Sequence, residues 1–421
     1  MIGDKKFVVE HAPNPNAPGR AFGNFVLPLG VACAFALLAN NFANLPAFLA
    51  ELLVGVPYYV LGLGLILSVA FKRGRVLFAT LALIIAYAGF RFLIESGSNG
   101  LAARTIYLAL CIFVPVNLAF LSFLQERGAL NPYGGRRLIL LLIEIGIVVA
   151  IIEGGHGGIT DAFYRPIVAG IDVAGSPVPQ IALMIMVIAI LVTVIRAVIA
   201  SAAPIEAALA VVIVAFAGAC NDYPAGEVFV WLTATGVILI GAVVQDSYRM
   251  AFSDELTGLP GRRALNESLM GLERNYTIAM LDVDHFKAFN DTWGHDVGDQ
   301  VLKLVASRLQ RVGGGGKVYR YGGEEFTVVY PGKRLIEVLS HLEALRKDIE
   351  GYRLRIRRRE PAQEAGRHSN PASPVASWVS VTVSIGVAAK GTRVAAPEDI
   401  LTAADQALYR AKSAGRNRVS R

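Results

Sequence analysis

Eight long apolar runs dominate the first 244 residues of the chain. Most of them reach about 17 to 23 residues, the length that an α-helix needs to cross a bilayer. The pattern therefore predicts a transmembrane domain of about eight helices over residues 24–244. The polar residues 1–23 in front of it predict a cytoplasmic tail without a removable signal peptide. The predicted spans lie at about 24–40, 52–71, 76–94, 104–124, 138–152, 178–200, 204–219 and 228–244.

The second part of the chain alternates β-like and helical patterns. After a linker helix at residues 245–253, the order β-α-β-β-α-β-α predicts an α+β domain over residues 254–421. We expect a central, mostly antiparallel sheet, ferredoxin-like in plan, with helices mostly on one face. A mobile loop is expected within residues 353–377. The predicted elements are the strand Tyr276–Asp282, the helix Val297–Val312, the hairpin 317–330, the helix Leu335–Tyr352, the β-rich run Trp378–Ala389 and the helix Pro397–Ala414.

The composition agrees with this division into two parts. Of the 421 residues, 54% are hydrophobic and only 17% are charged, which is too apolar for a soluble globular chain. Residues 21–244 contain 10 lysines and arginines, whereas residues 245–421 contain 27. The chain therefore combines a membrane half with a basic, water-soluble half. Its three cysteines lie in or beside apolar segments, so we expect no disulfide framework and no cysteine-based metal site.

Positive charge is concentrated in alternate loops of the membrane half. Because basic loops stay in the cytoplasm, this asymmetry orients the domain. With eight spans, both termini and the water-soluble half face the cytoplasm, and the protein is a multi-pass protein of the inner (plasma) membrane. The basic residues that decide this are Lys72, Arg73, Arg75, Arg127, Arg136, Arg137 and Arg196.

A few polar residues interrupt the apolar half. Glu144 and Arg91 lie within predicted spans, where charge is costly and often functional. A second set beside the spans predicts either an external ligand or metal site, or ordinary polar contacts in a solvated loop. That set comprises Glu153, His156, Asp161 and Asp222.

The most informative stretch of the soluble half is a predicted hairpin turn. Residues Arg320–Phe326 read Arg-Tyr-Gly-Gly-Glu-Glu-Phe between two β-like runs. The adjacent carboxylates of Glu324 and Glu325 indicate a divalent cation that also carries phosphates, because Mg²⁺ is usually held by one or two carboxylates plus phosphate oxygens. The alternative is a solvated acidic turn.

Further polar motifs surround this hairpin in the sequence. Asp282–Lys287 follows the first predicted strand, and a carboxylate at a strand end suits a metal–phosphate site. Asn290 and Gly294–Asp299 supply amide and carboxylate groups that can read a guanine edge. Lys412 and Arg416 can neutralise phosphates. Each motif also has a structural interpretation, as a turn, a helix start or a surface ion pair.

Taken together, these motifs give residues 250–421 a resemblance to the GGDEF family of diguanylate cyclases. This resemblance implies that two GTP molecules are fused into cyclic di-GMP with release of two pyrophosphates. The membrane half resembles no family that we can name. The matching stretches are Asp254–Arg263, Asp282–Asp291, Gly294–Asp299, Arg320–Phe326, Val383–Val387, Ala404–Lys412 and Gly415–Arg418.

The resemblance also assigns a role to individual residues. It implies that Asp282, the backbone carbonyl of Val283 and Glu324 bind Mg²⁺ or Mn²⁺. Glu324 is in addition the candidate base for the 3′-hydroxyl, Glu325 supports the second metal position, and Lys287 stabilises the transition state. The implied GTP-binding residues are Phe286, Asn290, His295, Asp299, Lys412 and Arg416, the last two on the phosphates.

Two expectations concern partners. Because each domain presents one GTP and the product is two-fold symmetric, the active form is expected to be a C2 homodimer. The other expected partners are the lipid bilayer and a signal ligand of unknown identity, whereas nucleic acid is not expected.

One departure from the family concerns product inhibition. Many members have an Arg-x-x-Asp site ending five residues before the hairpin glycines, and here those four positions are the glycines 313–316. The resemblance therefore predicts that no inhibitory product site is present.

Two other functions remain open from the sequence. The soluble domain is alternatively a catalytically silent, GTP-binding receptor on a membrane sensor. A transporter or enzyme in the membrane half is a third hypothesis, which only Glu144 and Arg91 support.

Overall fold

The computed structural model of the protein describes residues 7–9, 17–44, 46–96, 100–128, 131–167, 176–199, 204–223, 227–272, 275–358, 376–390 and 396–421. The chain forms two compact units. One comprises Pro15–Tyr248 and is helical; the other comprises Arg249–Arg421 together with Met1–Asn14. Most of the predicted loop within residues 353–377 and most of the predicted tail at residues 1–23 lie outside the described residues.

The helical unit follows the eight apolar runs closely. Among its described helices, seven are long and apolar enough to cross a membrane, and a pair bent by 108° makes an eighth if it forms one span. The bent pair corresponds to the fifth predicted run and breaks at Gly154–Gly155. The helices are α1 (Ala17–Asn40), α2 (Ala47–Ala70), α3 (Gly74–Ser96), α4 (Leu101–Phe123), α5 (Pro132–Glu153), α6 (Gly157–Tyr164), α7 (Gln180–Ile199), α8 (Pro204–Asn221) and α9 (Val228–Phe252), with a 3₁₀ turn at Phe42–Asn44.

Burial separates central from peripheral helices in this unit. In α8 78% of the apolar window is buried and in α9 67%, whereas in α1 only 11% is buried. The apolar side chains of α5 are largely exposed; Ile143, for example, is 57% exposed. An apolar surface of this kind suits contact with lipid, because lipid tails are as apolar as the side chains themselves.

The predicted basic loops gather at one end of the helical unit. Arg73, between α2 and α3, pairs with Asp246 near the end of α9 at 2.8 Å. Arg75 pairs with Glu206 at the start of α8 at 2.7 Å. Arg196 in the last turn of α7 is anchored at the end of α4, where its Nε donates to a backbone carbonyl. These basic loops therefore lie on the same side as the C-terminal end of α9.

The proposed external ligand or metal cluster is not assembled. Asp161 pairs with Arg104 at 2.8 Å, and Asp222 accepts a hydrogen bond from the Trp231 indole at 2.6 Å. Within the described residues, no group of three metal-ligating side chains converges. Arg91 pairs with Glu95 one turn later on the same helix. Ordinary polar contacts account for these residues.

The second unit is built on a five-stranded sheet in the order β3-β4-β2-β7-β8. All neighbours are antiparallel except β7 and β8, which are parallel. A separate three-stranded sheet has the order β1-β5-β6. The strands are β1 (Phe7–Val9), β2 (Tyr276–Val283), β3 (Lys317–Gly322), β4 (Glu325–Pro331), β5 (Leu354–Arg358), β6 (Ala376–Val379), β7 (Val383–Ala389) and β8 (Val419–Ser420); the helices are α10 (Arg262–Met270), α11 (Phe286–Trp293), α12 (His295–Leu309), α13 (Leu335–Glu350) and α14 (Pro397–Ser413).

The mostly antiparallel sheet is as predicted, but the expectation that helices lie mostly on one face is wrong. The central strand β2 is buried at all eight positions. Leu281 belongs to a core shared with α12 and α13, whereas Met280 belongs to a second core shared with α10 and α14. Because successive side chains of a strand point to opposite faces, a strand that is buried at every position has cover on both sides.

Candidate active site

The three predicted acidic residues meet at the end of β2. Asp282 lies opposite Glu325 on β4 and opposite Ser384 on β7 in the sheet register. The backbone N–H of Val283 donates to the carbonyl of Glu324 at 3.3 Å, which holds the β3–β4 turn against the end of β2. The hairpin predicted from the sequence thus brings Glu324 and Glu325 to the carboxylate of Asp282.

An ammonium group forms an ion pair with this acidic cluster. Lys412, near the end of α14, places its Nζ 2.8 Å from Oδ2 of Asp282. Asp282 points to the face that α14 covers, because it continues the alternate row of Ile278 and Met280. The Asp282 side chain is only 7% exposed, so the pair is largely shielded from water on the carboxylate side.

Burial raises the pKa of all three carboxyl groups. For Glu324 and Glu325, the second cause of the raised pKa is repulsion by Asp282. The positive charge of Lys412 lowers the pKa of each of the three carboxyl groups, but by less than the other causes raise it. Arg416 lowers the pKa of Asp282 further, as a weaker influence. The cluster therefore has more negative charge than its own cations balance, which favours binding of a cation.

The donor set fits Mg²⁺ or Mn²⁺ in its chemistry. Carboxylate and carbonyl oxygens are the hard ligands that these ions prefer. The carboxylates of Asp282, Glu324 and Glu325 are near enough to repel one another, but within the described residues no three ligating side chains converge as a preformed metal site would require. This agrees with a site in which Asp282 and Glu324 supply the protein ligands and substrate phosphates complete the shell, as is common for Mg²⁺.

The raised pKa values predict an unusual pH dependence. In the folded domain the pKa values of Glu324 and Glu325 are raised above the ordinary value of 4.5, so both groups bind protons more tightly than they do in the unfolded chain. Their contribution to the free energy of unfolding is therefore fully present below pH 4.5 and is lost as pH rises through the raised values. Without divalent cations, we expect wild-type protein to lose more thermal stability across this window than Glu324→Gln protein. Calorimetry at a series of pH values checks this, and equal slopes for the two proteins would contradict it.

Asp284 has a structural role next to the cluster. Its carboxylate accepts hydrogen bonds from the hydroxyls of Thr382 and Ser384, both at 2.7 Å, and from the backbone N–H of Asn417 at 3.1 Å. Arg346 on α13 holds the side chain of Asn417 in turn, at 2.6 Å. Asp284 thus ties the C-terminal turn and β7 to the end of β2.

Arg320 fixes the turn that carries the acidic pair. Its Nη1 lies 2.7 Å from Oδ1 of Asp254, and its Nε and Nη2 donate to the carbonyl of Gly323 at 3.1 and 2.6 Å. Burial raises the pKa of Asp254. Hydrogen bonds from Thr257 and Arg320 together lower the pKa by more than burial raises it, so the net shift is downward. The motif at Asp254 is therefore a support for the turn. The sequence does not indicate this role for Asp254, because 66 residues separate it from Arg320.

Loss of this support is expected to reduce both stability and turnover. We expect Arg320→Ala to lower the free energy of unfolding by about 1.5–3 kcal/mol, the range for a hydrogen bond to a charged group. The GTP turnover that the resemblance implies should fall by about 10²-fold, because displacement of a catalytic group by 1 Å has effects of that size. Denaturant unfolding and product formation measure the two effects.

A surface ion pair provides the control for this prediction. Arg334 and Glu337, whose side chains are 77% and 38% exposed, pair at 3.2 Å. Arg334→Ala should therefore change stability by less than about 1 kcal/mol and leave turnover intact. Normal turnover in Arg320→Ala protein would show that Arg320 does not position the turn.

Four of the six predicted GTP-binding residues lie on the consecutive helices α11 and α12, and the other two, Lys412 and Arg416, lie on α14 and in the C-terminal turn. Asn290 on α11 packs against Gly298 on α12 so closely that a Cβ at position 298 would lie 1.9 Å from Oδ1 of Asn290. This Oδ1 is buried and has no hydrogen-bond partner. Phe286 is 7% exposed and belongs to the hydrophobic core.

Three of the remaining predicted contacts are open to solvent, and the fourth is half-buried. His295 and Asp299 are exposed, one turn apart on α12, and Lys287 is exposed on α11. Arg416 is half-buried in the C-terminal turn, with a φ of 64°. The structure gives none of these four residues a partner in the acidic cluster other than the influence of Arg416 on Asp282.

Residues 313–316 form a glycine turn, and three of its glycines pack closely against neighbouring side chains. A Cβ at Gly314 would lie 2.6 Å from the His341 ring, and one at Gly316 would lie 2.8 Å from Val328. This turn therefore presents backbone where an inhibitory site would need side chains.

Comparison with known proteins places this site in a family. Residues 251–418 match the family described as "Diguanylate cyclase, GGDEF domain". The chain is 38% identical over 175 residues to diguanylate cyclase VdcA of Vibrio cholerae, covering 40% of this chain and 46% of VdcA. It is 36% identical over 181 residues to response regulator PleD of Caulobacter vibrioides, covering 41% of this chain and 36% of PleD. The match thus spans less than half the length of these two curated relatives.

A similar solved structure is the coiled coil and GGDEF domain of DgcB from Caulobacter crescentus, in complex with c-di-GMP. It is 31% identical, with a TM-score of 0.36, and the match covers 44% of this chain and 92% of that chain. The family match and the sequence identities agree on the same part of the chain. Residues 251–418 are therefore a GGDEF domain.

Proposed function

We propose that the protein is a membrane-bound diguanylate cyclase that condenses two GTP molecules into cyclic di-GMP and two pyrophosphates. The observation that carries the proposal is the cluster of Asp282, Glu324 and Glu325 around the single ammonium of Lys412. The cluster lies in a GGDEF domain whose relatives include named diguanylate cyclases. A catalytically silent receptor would not need this complete set of charges.

The residues of the chain have distinct roles in this reaction. The unpaired, buried Oδ1 of Asn290 offers an acceptor for a guanine N–H, and Asp299 and His295 add polar contacts nearby on α12. Phe286 shapes the site from within the core. Lys412, Arg416 and Lys287 supply positive charge for phosphates and for the transition state.

Glu324 is the proposed base for the 3′-hydroxyl of GTP. A carboxylate whose pKa is raised accepts a proton more readily at neutral pH than an ordinary one does. As the proton leaves, the 3′-oxygen forms a bond to the α-phosphorus of the other GTP, and the bond from that phosphorus to pyrophosphate breaks. Mg²⁺ or Mn²⁺ bound by Asp282, the Val283 carbonyl and Glu324, with Glu325 supporting a second ion, would neutralise phosphate charge.

Two domains are required, because each presents one GTP and the product is symmetric. The test is product formation in nanodiscs sorted to hold one or two copies of the full chain, at concentrations where separate discs do not meet. We expect cyclic di-GMP only from discs with two copies. Two-copy discs that bind GTP but form no product would favour the silent receptor, and equal product from both would contradict the homodimer.

The product is not expected to inhibit this enzyme through residues 313–316. The turn there consists of glycines packed against His341, so no side chain is available to bind cyclic di-GMP. We expect turnover to be unchanged when micromolar cyclic di-GMP is added, as measured by pyrophosphate release. Inhibition accompanied by protection of residues 313–316 from hydrogen exchange would contradict this prediction.

For the rest of the chain, we propose residues 1–23 as a cytoplasmic tail, residues 24–244 as a transmembrane domain of the inner (plasma) membrane, residues 245–253 as a linker and residues 254–421 as the catalytic domain. The basic loops at one end of the helical unit support cytoplasmic termini. The transmembrane domain senses a signal ligand or localises the enzyme. Helix α9 extends to Phe252, through most of the linker.

A further inference from the structure

The helical unit contains a cavity of about 270 Å³ between α3, α4 and α5. Small residues on α3 and α4, among them Ala82, Gly89 and Ala109, leave this space, and Leu141 and Ile145 of α5 line its other side. The volume is slightly below the roughly 300–1,000 Å³ that is typical of ligand pockets. A cavity of this size and character suits a small apolar molecule.

Only two side chains that line the cavity are polar. Asn117 of α4 donates from Nδ2 to Oε2 of Glu144 on α5, at 2.7 Å. Asn117 is 7% exposed and Glu144 is half-buried. Across the described ranges, the structure provides no hydrogen-bond donor for Oε1 of Glu144 or Oδ1 of Asn117. The polar end of the cavity therefore presents acceptors that lack donors.

The position of Glu144 along α5 makes an unpaired carboxylate costly. It lies seven residues after Arg137 and nine before Glu153. At about 1.5 Å per residue, it is roughly 10 Å and 13 Å from those charges along the helix axis. The neighbouring Ile143 is 57% exposed and Ile147 is 46% exposed, as expected for residues in contact with lipid.

A carboxylate at this depth needs a partner or a proton, because charge in an apolar medium is strongly disfavoured unless it is paired or neutralised. Asn117 provides one neutral hydrogen bond, and no lysine or arginine among the described residues forms an ion pair with Glu144. A ligand that enters the cavity with a positive hydrogen-bond donor would supply the missing partner.

We propose that this cavity binds a small apolar molecule whose polar end is a cationic hydrogen-bond donor, such as a primary amine. The amine would donate to Oε1 of Glu144 and to Oδ1 of Asn117, while the hydrocarbon part fills the space between α3, α4 and α5. The proposal concerns binding in the membrane half and does not depend on cyclase activity.

The test uses photolabelling of the full chain in nanodiscs of neutral phosphatidylcholine. The probe is an octylamine analogue that carries an alkyl diazirine, and mass spectrometry locates the labelled residues. Unlabelled n-octylamine and n-octanol compete for the site in wild-type protein. We expect saturable labelling on α4 and α5, with n-octylamine competing about tenfold better than n-octanol, because a charge-assisted hydrogen bond is stronger than a neutral one.

Three variants separate the cavity from the lipid surface. Glu144→Gln keeps the size of the side chain and removes its charge, so the preference for the amine should disappear. Ala109→Phe fills the cavity and should abolish saturable labelling. Ile143→Phe changes the neighbouring, outward-facing position and should have no effect.

Each contrary result would overturn the proposal. Labelling that never saturates, and that is equal in all four proteins, would mean that the probe reports bulk lipid. Equal competition by the alcohol and the amine in wild-type protein would refute the cationic donor even if Glu144→Gln protein failed to fold. Saturable labelling that persists in Ala109→Phe protein would place the site elsewhere.

Discussion

Replacing Glu324 with glutamine is expected to reduce GTP turnover by about 10²- to 10⁴-fold, the range that a positioned acid–base group contributes. The loss combines removal of the proton acceptor with removal of one metal ligand, while the side chain keeps its size. Because burial and repulsion by Asp282 raise the pKa of Glu324, the charge that is lost is one the folded domain disfavours. Thermal stability without divalent cations should therefore stay the same or rise. Steady-state pyrophosphate release and calorimetry measure the two effects.

An exposed glutamate is the matched control for this variant. Glu267 lies on α10 and faces solvent. Glu267→Gln should leave turnover unchanged and alter stability by no more than about 0.5 kcal/mol. If Glu324→Gln protein kept more than a tenth of wild-type turnover, as an order-of-magnitude threshold, Glu324 would be neither the base nor an essential ligand.

The largest expected effect on stability comes from Gly386→Ala. Gly386 lies on β7 where the backbone of α14 rests directly on the sheet, and a Cβ there would lie 1.9 Å from the Leu408 amide nitrogen and 2.2 Å from the Ala404 carbonyl oxygen. These contacts are with backbone atoms, so α14 must move away. We expect a loss of at least about 3 kcal/mol in the free energy of unfolding, the upper range for an overpacked core.

Turnover should fall together with stability in this variant, because α14 carries Lys412 to Asp282. Gly271→Ala is the control: a Cβ at Gly271 would meet only the Ser268 carbonyl oxygen at 3.8 Å, an ordinary contact. Denaturant unfolding and product formation are compared for both variants. A Gly386→Ala protein of normal stability would show that α14 does not pack on β7 as described.

The elements with strong periodicity could be predicted from the sequence. Strand β2, the β3–β4 hairpin and helix α14 were predicted to within a few residues, because apolar alternation, a Gly-Gly turn and a proline at the first helical turn mark them directly. The cluster of Asp282, Glu324 and Glu325 follows from the first two of these elements. The short elements α11 and β8 were missed, since their few residues bury too little to leave a clear pattern.

Contacts between distant parts of the chain could not be predicted. The bond between Arg320 and Asp254 spans 66 residues, and Asp284 meets Asn417 across 133 residues. Such pairs depend on the strand order, which the pattern of single elements does not determine. The cover on both faces of the sheet was missed for the same reason, although consecutive apolar residues at Ile278–Leu281 could have indicated it.

In the membrane half, too, the elements could be predicted from the sequence and the contacts between them could not. The apolar runs mark its helices, and Glu144 stands out from the sequence as a charge within a span. Its partner Asn117 and the cavity beside both residues arise only when α3, α4 and α5 pack. The 108° bend between α5 and α6 likewise explains why the fifth apolar run was short.

The most direct test of the account is identification of the product. Full-length protein in nanodiscs is incubated with GTP and Mg²⁺, and mass spectrometry measures cyclic di-GMP while an enzymatic assay measures pyrophosphate. The account predicts two pyrophosphates for each cyclic di-GMP, and a loss of about 10²- to 10⁴-fold in both products for Glu324→Gln protein. Bound GTP that stays unconverted in two-copy discs, or Glu324→Gln protein that keeps more than about a tenth of the wild-type rate, would contradict it.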